Sequence, residues 1–265
     1  MPYLSSGGVR LHYEVRGQGV PILFIHPPVL SSTCFALQTA ALSKTFKTIT
    51  FDIRGHGRSQ ASPTPLTYDL IVSDMQAVLN AAGEDRAFLC GYSMGGSIAL
   101  EFLLQCPERA QGAILIGGFS EVQSLYLRGL VTAGIALTHP WFQHFLAWGL
   151  AKTNSVRETF RETLAANLQC SFADAQAYYR CSLTYDCTER VSAIEQPVLL
   201  LYGQHDRPFH PYGKQLYERL PNSQLVYIPA SSHRIPSKQP ALLNLAISRF
   251  VKKHAVYPGA RTLIL

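Results

Sequence analysis

Three residues carry the chemistry this chain can be expected to do. Ser93 lies in Gly91-Tyr92-Ser93-Met94-Gly95, a G-x-S-x-G pattern. Chance alone supplies that pattern in about one chain in ten of this length, so it is weak by itself and a structural Gly-rich turn explains it equally well. Its surroundings strengthen it. An apolar run, RAFLCGY at 86–92, precedes the serine, and a helical pattern, SMGGSIALEFLLQC at 93–106, begins with it. A serine held on a sharp strand-to-helix turn points its hydroxyl away from the sheet, at the positive end of the following helix. To act as a nucleophile it needs a base, and the base needs an acid to orient it. Asp206 in YGQHDRP and His233 in IPASSHR follow two later apolar runs. In a parallel sheet the carboxyl ends of strands face one crevice, so the three should converge. The order Ser, Asp, His is the one expected of this turn. Asp174 and Asp186 are weaker candidates for the acid, because neither follows a strand.

The elements that must position these residues are legible as an alternation. VRLHYEV at 9–15 reads as a strand exposed on one face. Short apolar runs follow at 21–26, 46–52, 86–92, 112–118, 197–203 and 224–230, bounded by Gly or Pro as buried parallel strands are. Helical patterns separate them, for example TYDLIVSDMQAVLNAA at 67–82. Strand alternating with helix implies a sheet covered on both faces. The alternation stops over residues 119–196, which read as amphipathic helices rich in aromatics, both tryptophans among them. These rings can pack the segment's own core, line a pocket beneath it, or do both.

The chain resembles enzymes of the α/β-hydrolase fold, serine-nucleophile esterase-like branch, over nearly its whole length. Besides GYSMG, the resemblance rests on FDIRGHGRS at 51–59, LLLYGQHDRP and IPASSHR. It implies a mostly parallel eight-stranded sheet flanked by helices, with residues 1–118 and 197–265 as the core and 119–196 as a helical cap. Ser93 would be the nucleophile, Asp206 the acid, His233 the general base, and the Met94 backbone N–H an oxyanion donor. Tyr92, Trp141, Phe145 and Trp148 are the candidate pocket residues. His56, Asp52 and Arg54 would hold a turn, and His205 would be a surface loop residue. One departure stands out. Where the family has His-Gly-x after its third strand, with x donating its N–H to the oxyanion, this chain has His26-Pro27-Pro28. Proline has no N–H. Losing one such donor costs about 2.7–4 kcal/mol in other serine enzymes. A shifted loop in which Val29 donates, or a substitute such as the Ser31 or Ser32 hydroxyl or a water, would restore it. Otherwise the enzyme is slow, or its chemistry leans less on a tetrahedral oxyanion.

Composition narrows the rest. The 265 residues are 47% hydrophobic and 15% charged, which excludes a disordered chain and a charged coiled coil. No apolar run is long enough for a membrane span, and the start lacks the basic-then-apolar pattern of a Sec signal. The net charge of +6 is mostly local: Lys238, Arg249, Lys252, Lys253 and Arg261 face no acid in the last 28 residues, leaving 18 basic against 17 acidic side chains before them. So few charges neutralise little phosphate, so a solvated last helix is expected and no nucleic-acid partner. The six cysteines show no C-x-x-C pair or zinc-ligand spacing; reduced thiols in a cytoplasmic protein are expected, with Cys181 and Cys187 only weakly permitting a disulfide. No cofactor or metal is implied. Oligomeric state is not encoded legibly. The expected activity is hydrolysis of a small to medium, moderately apolar carboxylic ester through an acyl-enzyme. Carbon–carbon bond hydrolysis, lactone or thioester hydrolysis and cofactor-free perhydrolysis use the same triad. A ligand-binding or signalling protein keeping this fold is the alternative of a different class, favoured only by the missing amide.

Overall fold

Each apolar run bounded by Gly or Pro becomes a strand in the computed structural model, which describes residues 2–255. The strands are β1 (Tyr3–Ser6), β2 (Val9–Arg16), β3 (Pro21–Ile25), β4 (Lys47–Phe51), β5 (Ala87–Tyr92), β6 (Ala110–Ile116), β7 (Val198–Gly203) and β8 (Ser223–Ile228). They form one sheet in the order β1-β2-β4-β3-β5-β6-β7-β8. β1 and β2, and β2 and β4, pair antiparallel, and the other pairs are parallel. This is the mostly parallel eight-stranded sheet expected. β1 had no clear signature: its four residues, YLSS, have only one buried position.

Because side chains alternate along a strand, neighbours feed opposite layers. Leu23 and Ile25 of β3 pack with Ile71 and Met75 of α2 (Tyr68–Ala81) and Ile98 and Phe102 of α3 (Met94–Gln105). Ile22 and Phe24 pack instead with Leu42 of α1 (Ala36–Leu42) and Ile247 and Phe250 of α10 (Pro240–His254). Fully burying such side chains stabilises the fold by about 1.5–3 kcal/mol each. The central strands, buried on both faces, had to be continuously apolar.

Between β6 and β7 the chain forms four helices, α4 (Leu125–Leu137), α5 (Gln143–Asn154), α6 (Phe160–Leu168) and α7 (Phe172–Thr184). α7 is tied to the core by polar groups. The Tyr178 hydroxyl donates to the His26 carbonyl (3.0 Å), the Tyr68 hydroxyl to Ser182 Oγ (3.0 Å), and Ser62 N–H to Asp174 Oδ2 (3.2 Å). After β7 come α8 (His210–Arg219), β8 and α9 (Ile235–Lys238). Lys238, Arg249, Lys252 and Lys253 are exposed on α9 and α10; Arg261 lies outside the described residues. All six cysteines are free. Among the described residues no helix is long and apolar enough to cross a membrane.

Candidate active site

Ser93 stands between the end of β5 and the start of α3 at φ 54°, ψ −120°. A non-glycine residue with positive φ is strained and is held there by its surroundings. Its N–H donates to the Ile116 carbonyl (2.8 Å) and its carbonyl accepts from Gly96 N–H (2.8 Å). The flanking glycines permit the close crossing: a Cβ on Gly91 would strike the Gly95 carbonyl, and one on Gly95 the Ile25 carbonyl. The Met94 amide is among the first N–H groups of α3, which a helix leaves without an internal partner.

The two distant candidates arrive at this serine. His233 Nε2 lies 2.9 Å from Ser93 Oγ, and His233 Nδ1 lies 2.8 Å from Asp206 Oδ2. A carboxylate only accepts, so Nδ1–H donates to Asp206 and the Nε2 lone pair faces the serine hydroxyl. That is the tautomer able to take a proton from Ser93. The loops are joined near this pair: His205 N–H donates to the Ser231 carbonyl (2.8 Å) and Gln204 N–H to the Ile228 carbonyl (2.9 Å). Phe209 packs on the imidazole with ring centroids 4.1 Å apart. Gly117, at φ +59°, clears the other side, since a Cβ there would sit 2.7 Å from His233 Cε1. The rival acids are elsewhere. Asp174 is buried against the 52–62 loop, and Asp186 Oδ1 accepts from Thr188 N–H (2.8 Å).

The serine opens into a cavity of about 320 Å³ roofed by α4, α5 and one residue of α7. Tyr92 lines it and fixes its roof, its hydroxyl donating to Asn154 Oδ1 of α5 (2.9 Å). Burial pushes that phenol well above its ordinary value, so it stays protonated. The other candidate pocket residues are corrected. Trp141, Phe145 and Trp148 are 85%, 67% and 43% exposed and do not line the cavity. The side of α5 that faces Ser93 carries Leu146, Leu150, Thr153 and Asn154 instead. Tyr126, Leu130 and Leu137 of α4 complete the apolar wall; Tyr126 is one of the insert's aromatics, but the two leucines had no aromatic signal to mark them.

The side chains of the expected oxyanion substitutes line other clefts. Val29 does take up a strained turn, φ 68°, but it lines a separate cleft with Cys170, Asn167 and Phe172. Its backbone lies near the Cys170 thiol, whose pKa burial raises and the Val29 backbone lowers in part. Ser31 and Ser32 line a polar cleft around Asp52; Ser31 Oγ meets Thr33 Oγ1 (2.8 Å), and Ser32 N–H donates to Asp52 Oδ1 (2.8 Å). Only Pro27 and Pro28 of that stretch, with Leu30, reach the cavity. His26 fixes the prolines. Its Nε2 accepts from Ile53 N–H (2.9 Å), so Nδ1 carries the proton and donates to the Pro27 carbonyl (2.9 Å). Burial lowers its pKa and keeps it neutral for this role.

The FDIRGHGRS loop is structural. Asp52 accepts from His12 Nδ1, Ser32 N–H and Arg58 N–H. Burial alone would raise its pKa, but these bonds, His12's foremost, hold it well below the carboxylate range. Arg54 holds the turn through its carbonyl, while its guanidinium clasps Asp74 of α2 at 2.6 and 2.7 Å and donates to the Ser6 carbonyl (2.9 Å). His56 is buried, with Nδ1 on the Arg54 carbonyl (2.9 Å), and burial lowers its pKa to about 4.

A profile of the family described as serine aminopeptidase, S33, matches residues 22–239, most of the chain. The chain belongs to this family. It is therefore an α/β-hydrolase, as the motif resemblance implied. Among curated proteins it is similar to a putative carbamate hydrolase, RutD, of Azorhizobium caulinodans: 26% identical over 258 residues, 92% of this chain and 96% of that protein. Among solved structures it is similar to a thermophilic esterase from Thermogutta terrifontis, with TM-score 0.77 and 26% identity over 96% of this chain and 97% of that one. An esterase from Exiguobacterium antarcticum superposes with TM-score 0.84 over 94% of this chain and 98% of that one; at 20% identity it shows the shared fold alone.

Proposed function

We propose that the chain hydrolyses small to medium, moderately apolar carboxylic esters through an acyl-enzyme on Ser93. The observation that carries this reading is the unbroken relay from Asp206 through His233 to Ser93 Oγ, at 2.8 and 2.9 Å, opening into an apolar cavity. Ser93 Oγ attacks the ester carbonyl while His233 Nε2 takes its proton. The carbonyl electrons move onto oxygen, where the Met94 N–H meets the charge. Collapse breaks the ester C–O bond, and His233 returns the proton to the departing alcohol. Water, deprotonated by His233, then repeats the attack and frees the acid. Asp206 holds the imidazole in its working tautomer. Residues 119–196 act as the cap over the core of residues 1–118 and 197–265. A cavity of about 320 Å³ sits at the small end of ligand sites and suits a compact substrate.

The family description names a peptidase, but the cavity favours esters. An aminopeptidase must bind the substrate's ammonium group. Among the described residues the only carboxylate lining this cavity is Asp206, already committed to His233, and the cavity is also lined by the cation of Arg234. The similar Thermogutta terrifontis esterase and the similar putative carbamate hydrolase point the same way. The test is a panel of purified-protein assays. Turnover of p-nitrophenyl acetate and butyrate, lost in Ser93→Ala, is expected. Cleavage of aminoacyl p-nitroanilides in preference to esters, or of a vinylogous diketone alone, would overturn the ester reading.

A further inference from the structure

A transition-state oxygen beside such a serine is ordinarily met by two N–H groups, one after the nucleophile and one from the loop after the third strand. Here that loop presents Pro27 and Pro28, the Val29 side chain faces another cleft, and Ser31 and Ser32 line the cleft around Asp52. A hydroxyl on the opposite wall is free. Tyr179 of α7 lines the same cavity as Pro27, Pro28, Ser93 and Met94; it is 9% exposed, and its hydroxyl, which no protein group among the described residues pairs, is open to the cavity rather than sealed in the core. A phenol that opens onto a substrate cavity with no protein partner is available to an acceptor that arrives with the substrate. The other buried hydroxyls there are committed, Tyr92's to Asn154 and Thr153's to the Gly149 carbonyl. Tyr126 stands at the exposed rim.

The ring is placed by its neighbours. Tyr178, one residue earlier, donates to the His26 carbonyl and so fastens α7 to the proline loop. On α4, Gly134 makes room: a Cβ there would come 2.7 Å from Tyr179 Cε1 and Cζ. The phenol therefore stands against α4, on the roof of the cavity. Burial raises its pKa, so the group remains a neutral donor.

We propose that the Tyr179 hydroxyl supplies the second hydrogen bond to the substrate's carbonyl oxygen, replacing the amide that Pro28 lacks. The proposal rests on Ser93 being the nucleophile. As the Ser93 Oγ–carbon bond forms and the carbonyl pair moves onto oxygen, the Tyr179 O–H donates to it and keeps its own proton. The bond relaxes when the carbonyl reforms and the alcohol leaves.

The test is Tyr179→Phe in the full chain, assayed on p-nitrophenyl butyrate. The expected result is a fall in kcat on the order of 10²-fold, the cost of one lost oxyanion donor. KM should stay within about threefold. Affinity for a trifluoromethyl ketone, whose adduct carries the oxyanion, should fall with kcat, while inhibition by butyrate should not change; a merely structural role would not separate the two inhibitors. Should the variant melt early, the wild-type ketone adduct decides by crystallography: a Tyr179 hydroxyl within about 3.2 Å of the adduct oxygen supports the role, and a longer distance overturns it. A wild type that turns over beside a variant with unchanged kcat overturns Tyr179 and leaves Ser93 standing. A wild type inert to ester and ketone alike overturns both.

Discussion

Helices α5 and α7 belong to the same insert and both bring aromatic rings, yet the rings end in opposite places. Trp141 and Phe142 just before α5, and Phe145 and Trp148 on it, face outward. Tyr178 and Tyr179 on α7 are buried, one against the core and one on the cavity. Hydrophobicity does not separate the two sets. What separates them is polar partnership with the core. Asp174, Tyr178 and Ser182 recur every fourth residue, so they share one face of α7, and each finds a partner on a core loop or helix. α5 has its ties only at its last turn, Asn154 with Tyr92 and the Thr153 carbonyl with the Ser237 hydroxyl (3.4 Å). Its outer aromatics show none; Trp148 carries the Lys152 ammonium over its ring, 4.7 Å from the centroid.

The comparison can be broken at several points. The largest effect is expected at Tyr178. Tyr178→Ala empties a fully buried site and frees the His26 carbonyl, and should lower unfolding free energy by about 3–5 kcal/mol in urea melts. A loss below about 1 kcal/mol would mean α7 is not fastened to the core.

Next comes the seam itself. His56 lies against Tyr178, ring centroids 5.9 Å apart, and its pKa is near 4 in the fold against 6.5 unfolded, through burial first and the neighbouring His26 second. Between those values the unfolded chain binds a proton that the folded chain refuses. The stability from this site is complete above 6.5 and lost as pH falls toward 4. From pH 7 to pH 5, wild type should lose about 2 kcal/mol more than His56→Gln. Equal losses would show that the seam admits water. The smallest effects separate the two sides of the outer helix. Leu150→Ala, on the cavity side, should cost about 2 kcal/mol and raise KM for apolar esters. Trp141→Ser should change stability by less than about 0.5 kcal/mol and leave kcat and KM alone.

The same contrast marks how far the sequence could be read. Strand ends are fixed by topology, so three residues distant in the chain could be placed in one crevice from apolar runs and their Gly and Pro boundaries. The sheet was readable for the same reason, apart from β1, which is too short and polar to show a pattern. The insert was readable only as helices. The direction each faces depends on what lies beneath, and α7 buries a carboxylate, a phenol and a hydroxyl that no hydropathy pattern marks. The proline substitution at 27–28 was plain in the sequence. Where Val29 would point was not, because the strained turn that carries it into another cleft depends on His26 and the Pro27 carbonyl.

The most direct test of the central claim, that Asp206 and His233 activate Ser93, is labelling by a fluorophosphonate probe followed by peptide mass spectrometry. The predicted result is a single adduct on the peptide carrying Ser93, absent in Ser93→Ala and slowed by orders of magnitude in Asp206→Asn, where an amide can donate to Nδ1 and reverse the tautomer. Labelling at another residue, or at an undiminished rate in Asp206→Asn, would contradict it.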